Sequence, residues 1–469
     1  MPTIHPFRPW RYQQAGLRGG GPRPHDVTPL IAPPYDVLDA ESKQRLLAQS
    51  DRNIAAIDLP HVPAKELGPA SAYEGAAATL RTWTQDGTLT REALPAIYVY
   101  RQRFVNTAGR EVARLGVCCC VDLVPFGPAP GGGVLPHEET FSGPKEDRLA
   151  LMRATEAQLS PIFGLCPDDA GAAAEFARRI AASRGPDTRG TLTGAHAERV
   201  EHEVWTVDDA GLIRQYQEAL QGQDVFIADG HHRYTTQLNY LKELASRGPV
   251  PPDHPARRCM FVLISMNDAG LVIWPTHRVL GGMPGYSFDR LLDAARGSMK
   301  ITPFSGSIHD LYREVTSASA GAGSAPRVGL YDFASEGKRA AVATPLDTHP
   351  DPLAARFPDK PKAWRQLDVS WTQHAIVEDV CARQLASGAT VKWAFPHTLE
   401  EVLAIGRGEE TGAGGGRGFA QLAVLVRPTP LSAVRDVSRA NVLMPQKSTF
   451  FYPKLATGLW INPLTEAVR

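Results

Sequence analysis

Several absences narrow what this chain can be. No run of about 18 apolar residues occurs, so no segment is built to span a membrane. Six cysteines are present, but none forms a CxxC pair, which argues against a zinc site or a disulfide framework. Cys118, Cys119 and Cys120 are adjacent, so they alternate sides of a strand and do not bridge one another. The simplest reading of all six is buried, reduced thiols in a cytoplasmic protein. The opening "MPTIHPFRPWRYQQ" has no apolar heart of the kind a secretory leader needs. An excess of charge is also missing. Fifty basic residues balance fifty acidic ones, which leaves no electrostatic footprint for DNA or RNA. The common catalytic cradles are absent too: no G-x-x-x-x-G-K-[ST], no G-x-S-x-G, no H-E-x-x-H and no H-R-D set.

What remains is a globular composition, 43% hydrophobic and 21% charged over 469 residues, enough for two or three domains of about 150 residues each. Glycine (42) and proline (39) are frequent, which predicts many turns and long connections. "DAESKQRLLAQS" predicts a helix capped by Asp39, and "AYEGAAATLRTWTQDG" a helix with Tyr73, Ala77, Leu80 and Trp83 on one face. "NIAAIDLP" reads as a short strand ending at Pro60. "AIYVYRQRFV" and "ARLGVCCCVDLV" flank "NTAG" as a hairpin. Ser142 or Gly143 caps the helix that follows, with Pro144 at its first position. Residues 200 to 245 alternate strand, helix, strand, helix. "CMFVLISMN" and "GLVIWPTHRVL" read as a second hairpin. "TSASAGAGSAP" and "RGEETGAGGGRG" read as flexible loops. No fixed-period repeat is present. Strands and helices mixed without strict alternation predict an α+β fold, or mixed α/β.

Four segments can carry chemistry. In "IADGHHRY", Val225 to Ala228 form a strand, and Tyr234, Leu238, Leu241 and Leu244 recur at helical spacing. Asp229 and Gly230 therefore occupy a strand-to-helix turn, with His231, His232 and Arg233 in the first helical turn. Free N–H groups at such a turn suit a phosphate, and Arg233 adds a clamp. The structural alternative makes Asp229 an N-cap, with the histidines packed on a neighbouring strand. The second segment, "HEETFSGPKEDRL", crowds His137, Glu138, Glu139, Lys145, Asp147 and Arg148 near a helix start. Phosphoryl transfer to a hydroxyl needs such a carboxylate and such cations, although a solvated charged helix end reads the same way. The third, "WPTHRVL", ends a strand with Thr276, His277 and Arg278, where polar groups either line a crevice or lead into an ordinary loop. The fourth, "MPQKSTFFYPKL", sets Lys447, Ser448, Thr449 and Lys454 among aromatics, as a nucleotide site or as a packed hairpin.

Together "IAPPYDVL", "HEETFSGPKEDRL", "SPIFGL", "FIADGHHRY", "LVIWPTHRVL" and "MPQKSTFFYPKLATGL" resemble the DUF1015 family over nearly the whole chain. "DGHHR", between strand and helix, is also similar to the signature of free serine kinases with a ParB/sulfiredoxin-like fold. That resemblance implies a ParB/sulfiredoxin-like core elaborated by further mixed-sheet regions. It also implies that Asp229, Gly230, His231, His232 and Arg233 form a phosphate-binding turn. An upstream glutamate serves as base in those kinases, and Glu138 or Glu139 is the candidate here.

The resulting expectation is a phosphotransferase that moves a phosphoryl group from ATP or ADP, with Mg²⁺, to the hydroxyl of a small metabolite, with free L-serine the first choice. Glu138, Glu139, Asp229, His231 and His232 are the catalytic candidates, and Asp229 also the metal ligand. Gly230, Arg233, Lys145, Arg148, Thr276, His277, Arg278, Lys447, Ser448, Thr449 and Lys454 would bind the cofactor. The alternatives are a non-catalytic nucleotide- or metabolite-binding regulator and a nucleotide phosphohydrolase. Nucleic acid and membrane are not expected as partners; a homo-oligomer is compatible with the sequence. Residues 1–125 are expected as an N-terminal α/β region, 126–255 as the core with the turn, and 256–469 as a C-terminal α/β region.

Overall fold

Short apolar runs rich in β-branched and aromatic residues build the first layer of the protein, seen in a computed structural model that describes residues 2–13, 24–63, 66–106, 109–139, 143–194, 198–318, 324–335, 338–409 and 416–465. The chain packs as two compact units, one of Met1–Pro136, Thr140–Val272 and Pro453–Arg469, the other of His137–Glu139 and Ile273–Tyr452.

The first unit is organised by a ten-stranded mixed sheet. Its strands are β1 (Ile4–His5), β2 (His25–Asp26), β3 (Ile97–Val105), β4 (Glu111–Asp122), β5 (Val134–Leu135), β6 (Ile162–Cys166), β7 (Thr188–Thr193), β8 (Arg199–Val207), β9 (Val225–Asp229) and β10 (Arg258–Ser265). They run in the order β2-β7-β8-β3-β4-β10-β6-β9-β5, with β1 beside β4. The sheet thus draws strands from residues 1–125, 126–255 and 256–469 alike. The predicted hairpin is the antiparallel pair β3–β4, with Tyr98 opposite Cys118; residues 107–108 of its turn lie outside the described set.

Alternation along β4 explains the cysteine run. Val117, Cys119 and Val121 face a core with Phe176, Ala177, Ile180, Ile213 and Tyr216, contributed by two helices, Ala172–Ser183 and Ala210–Ala219. Cys118 and Cys120 point to the other side, where Tyr98 and Tyr100 meet the ring of Trp460. All six cysteines are free and buried, and desolvation pushes their thiols up, so they are inert apolar packing.

Five helices of this unit matter below: α1 (Ala40–Gln49), α2 (Ala70–Gln85), α3 (Gly143–Thr155), α4 (Ala172–Ser183) and α6 (His231–Arg247), with α5 (Ala210–Ala219) completing the set. Asp39 caps α1 by accepting the Ser42 N–H at 2.7 Å. Tyr73, Ala77, Leu80 and Trp83 line the buried face of α2 as predicted. Of the two caps expected for α3, Ser142 lies outside the described residues and Gly143 is the first residue of the helix itself. Met152 of α3 and Tyr240 of α6 share a small core, with Leu241 and Leu244 packed against it.

Two expectations are corrected. "NIAAIDLP" is a helical turn, Ala55–Asp58, rather than a strand. Asn53 decides it: its side-chain oxygen accepts the Ala55 N–H at 3.0 Å while its amide holds the Pro29 and Ile31 carbonyls at 2.9 Å. "CMFVLISMN" and "GLVIWPTHRVL" do not pair as a hairpin. β10 lies between β4 and β6 instead, and Pro275 divides the second run into Val272–Trp274 and Arg278–Gly281.

The second unit has a six-stranded antiparallel sheet of β11 (Arg278–Gly281), β12 (Met299–Phe304), β13 (Val328–Asp332), β14 (Ala340–Pro345), β15 (Lys392–Ala394) and β16 (Ala420–Leu425), in the order β12-β14-β13-β16-β11-β15. Ile308, Leu311, Val402 and Ile405 cover it from two helices, Ile308–Thr316 and Leu399–Gly406. The glycine-rich residues 410–415 and residues 319–323 of the predicted loops lie outside the described set. With its helices and mixed sheets, the chain is α+β. Among the described residues no helix is long and apolar enough to cross a membrane.

Candidate functional site

The turn after β9 answers the question of why cations gather at a helix N-terminus. Pairing of β9 with β6 shifts its register between Ile227 and Asp229, and Asp229 stands opposite Phe163 beyond the shift. Gly230 then adopts φ 97°, a left-handed conformation that a side chain would strain. A Cβ there would also lie 3.1 Å from the Arg233 guanidinium, which folds back over the turn. Gly230, not Asp229, holds the cap position, and no side chain caps α6. Asp229 instead meets cations: Arg233 Nη2 at 2.5 Å and the Lys454 ammonium. Burial alone would raise the Asp229 carboxyl, but Lys454 and Arg233 override it and hold the group well below the usual carboxylate range.

Distant parts of the first unit fix this arrangement. Arg233 donates to the Pro161 carbonyl, in the segment just before β6. The Lys454 carbonyl accepts from Gln102 at 2.9 Å, and the neighbouring Pro453 carbonyl from Arg114 at 2.5 Å, so two residues of the central hairpin hold the lysine in place. His231 is buried and its carbonyl accepts from Thr235 Oγ1 at 2.9 Å; His232 is half-buried.

Arg233 also reaches a small cleft lined by Tyr35, Asp58, Arg148, Ser160, Arg233 and Thr236 over an apolar floor that includes Leu151, Met152 and Ile162. Arg148 from α3 lies fully buried there. It contacts Asp147 at 2.6–2.7 Å and the Asp58 carbonyl at 2.6 Å, and its guanidinium sits 4.0 Å from the centre of the Tyr35 ring. Asp147 in turn accepts from Tyr73 and contacts His61 Nε2, both at 2.8 Å. The Asp58 carboxylate is less committed. Its Oδ1 is 3.4 Å from Arg148, and its Oδ2 accepts from the Ser160 hydroxyl at 3.2 Å. Burial raises the Asp58 carboxyl above its ordinary value, only partly offset by Arg148 and Arg233. Thr236 Oγ1, fully buried in the same lining, has no hydrogen-bond partner among the described residues.

The remaining candidates belong to the second unit. His137 Nε2 is 2.7 Å from Thr449 Oγ1, and Glu138 Oε1 accepts the Lys447 N–H at 2.7 Å, at a residue with φ 60°. Arg278 is buried; it donates to the Thr276 carbonyl at 2.5 Å and the Lys447 carbonyl at 3.0 Å. Desolvation brings it down to about 10, with Glu138 opposing the fall. His277 is buried and accepts the Val426 N–H through Nδ1 at 3.2 Å. Desolvation, reinforced by Arg278, lowers it to about 3, so it is a neutral imidazole at neutral pH. Ser448 donates to the Pro445 carbonyl at 2.5 Å, and its own carbonyl accepts from Thr429 at 2.6 Å. Thr276 Oγ1 is 3.4 Å from His397 Nδ1, and Glu139 is exposed. These partners are largely backbone groups, the pattern of a cluster that fixes loops.

The structure therefore gathers Asp229, Gly230, His231, His232, Arg233 and Lys454 at one turn, with Arg148 in the cleft that Arg233 shares and Lys145 one helical turn away on α3. Glu138, Glu139, Thr276, His277, Arg278, Lys447, Ser448 and Thr449 form the other group. Asp58, Tyr35, Ser160 and Thr236 were not legible as site residues. Tyr35 and Ser160 do lie in the segments "IAPPYDVL" and "SPIFGL", but Asp58 is a single acid in an apolar run. Asp229 does not suit a resident Mg²⁺, since both its oxygens already face cations. Among the described residues no group of three or more His, Cys, Asp or Glu is arranged to hold a metal ion.

No curated protein matches the chain. Solved structures overlap it distantly. A conserved hypothetical protein from Pyrococcus furiosus shares 10% identity at TM-score 0.31, covering 71% of this chain and 95% of its own. A free serine kinase in complex with AMP shares 7% at TM-score 0.32, with coverage of 70% and 89%. SbnI with a C-terminal truncation, from Staphylococcus aureus, shares 10% at TM-score 0.30, with coverage of 75% and 90%. Overlaps this slight speak for neither ligand nor chemistry. The sequence itself is decisive at the level of family: the model described as "Protein of unknown function (DUF1015)" matches residues 4–370, a span that takes in the β9 turn and the whole cleft but not Lys454, and the chain belongs to that family.

Proposed function

We propose that the first unit binds a nucleotide through its phosphates at the turn 229–233, and that the protein transfers a phosphoryl group to the hydroxyl of a small metabolite, free L-serine being the first acceptor to try. The observation that carries this reading is Arg233, which belongs to the turn and to the cleft together. The N–H groups of a helix start, Arg233 and Lys454 provide donors for phosphate oxygens on one side. Arg148 and the buried Thr236 hydroxyl, unpartnered among the described residues, provide polar contacts within the cleft. Asp229 keeps Arg233 and Lys454 in place, and an arriving phosphate would compete with it for them. ATP or ADP is the expected donor and enters with its own Mg²⁺, bound chiefly by phosphate oxygens and water. His231 and His232 stand at the helix start as further contacts to phosphate. Glu138 and Glu139 are the sequence's candidates for the base, and Glu138 has one oxygen engaged by the Lys447 N–H.

The test is incubation of the full chain with Mg²⁺, a nucleotide panel and pooled free amino acids, with phosphoamino acids read by mass spectrometry. A phosphorylated acceptor is the expected product. Nucleotide binding without any transfer would support a regulatory protein instead, and release of inorganic phosphate alone a phosphohydrolase. Asp229→Asn should lower turnover at least tenfold by loosening Arg233 and Lys454. Unchanged turnover with a folded variant would reject the turn as the site.

A further inference from the structure

The cleft contains a carboxylate that its surroundings do not fully use. Arg148 makes its short contacts with Asp147 and with the main-chain carbonyl of Asp58, at 2.6–2.7 Å, whereas the Asp58 carboxylate stands off at 3.4 Å. Asp147 therefore neutralises most of that guanidinium, and it is itself anchored by Tyr73 and His61. Asp58 Oδ2 accepts from the Ser160 hydroxyl at 3.2 Å, and that hydroxyl is also 3.1 Å from Thr457 Oγ1. A buried acid with, among the described residues, one long ion pair, one hydroxyl and the more remote charge of Arg233 is poorly compensated. Such a group is a cost to folding unless something else uses it, and functional clefts are where such groups gather.

We propose that Asp58 is the general base of the phosphoryl transfer, receiving the proton of an acceptor hydroxyl bound in the cleft between Arg148 and Arg233. The inference rests on the phosphotransfer reading above and replaces Glu138 and Glu139 with a residue of the same unit as the turn. The acceptor oxygen forms a bond to the terminal phosphorus of the nucleotide. The bond from that phosphorus to the bridging oxygen breaks, and its electron pair leaves with the shortened nucleotide, a nucleoside diphosphate from ATP or a monophosphate from ADP. The hydroxyl proton passes to Asp58 Oδ2 and is then released to solvent. Ser160 orients that oxygen, and the apolar floor of Leu151, Met152 and Ile162 keeps water from competing. The two carboxylates at the ends of Arg233's reach are divided in character. Lys454 and Arg233 hold Asp229 ionised, while burial leaves Asp58 closer to the proton affinity a base needs. Arg148, Arg233, Tyr35, Asp36 and Ser160 are the groups that face Asp58 and set its titration.

The experiment measures nucleotide binding by calorimetry and product formation from Mg–ATP or Mg–ADP and pooled free L-amino acids on the full chain. Asp58→Asn should keep nucleotide affinity within about twofold and lower product formation by about 100-fold or more, the range for loss of a general base. Product formation within about threefold of wild type by a variant that binds nucleotide normally would overturn the assignment and leave phosphotransfer standing. A wild-type protein that binds nucleotide and yields no phosphorylated product would overturn the phosphotransfer reading and this one with it. Should Asp58→Asn not fold, the wild-type rate at saturating nucleotide decides: a rise with pH through an inflection above the ordinary aspartate value supports Asp58, and a flat acid limb overturns it.

Discussion

The two units hold their charged side chains with different mixtures of partners. In the first, Arg148, Arg233 and Lys454 meet carboxylates, Arg148 and Arg233 donate to main-chain carbonyls as well, and these two arginines line a cleft. In the second, Arg278 donates to the Thr276 and Lys447 carbonyls and Glu138 accepts the Lys447 N–H, at a residue with φ 60°. A side chain spent on a carbonyl has had its direction fixed by the loop it holds. A side chain paired with another side chain can exchange that partner for a ligand group. The difference lies in which partners the folded chain brings near: carboxylates Asp229 and Asp147 in the first unit, main-chain groups alone for the Arg278 hydrogen bonds in the second.

The largest expected effect tests whether the first cluster is a true ionic network. Arg148→Met leaves Asp58 and Asp147 buried without their guanidinium and should cost about 3–5 kcal/mol in urea unfolding. A loss under about 1 kcal/mol would mean that Tyr73 and His61 already satisfy Asp147. Next comes Arg278→Met, which should cost about 1–3 kcal/mol by leaving the Thr276 and Lys447 carbonyls unsatisfied. Nucleotide affinity should stay within about twofold; a clear loss would erase the distinction between the units.

A smaller effect separates the two carboxylates of the first unit by the sign of their pH dependence. Asp229 has a folded value below its ordinary 3.8, so its contribution to stability is present above that pH and is lost as pH falls through the folded value. Asp229→Asn should therefore flatten the acid loss of stability. Asp58 has a folded value above 3.8, so its contribution is present below 3.8 and is lost as pH rises through the folded value. The stability of Asp58→Asn relative to wild type should then increase with pH over that window. Urea midpoints between pH 3 and 7 check both, and slopes of the same sign would break the contrast. The smallest effect is Thr429→Val, about 1 kcal/mol from the lost bond to the Ser448 carbonyl, measured by thermal unfolding.

Much of the local structure was legible because it depends on neighbours in sequence. The strand-turn-helix at 225–247 follows from an apolar run, a glycine able to take φ 97° and leucines at helical spacing. The β3–β4 hairpin follows from two apolar runs with a turn between them. Where the reading failed, a distant group had decided. The fate of "NIAAIDLP" depends on Asn53 binding carbonyls more than twenty residues earlier. β10 has two partners from elsewhere in the chain and so does not pair with the run that follows it.

The candidate site divides along the same line. By itself the sequence determined the family, the α+β mixture and the turn at Asp229–Arg233, because motif order, periodicity and a glycine's backbone freedom are properties of short stretches. Only the tertiary structure decided that Lys454, 225 residues away, neutralises Asp229, and that Asp58 shares a cleft with Arg148 and Arg233. Charge pairing and desolvation depend on distance in space, which the folded sheet and its helices set and the order of residues does not.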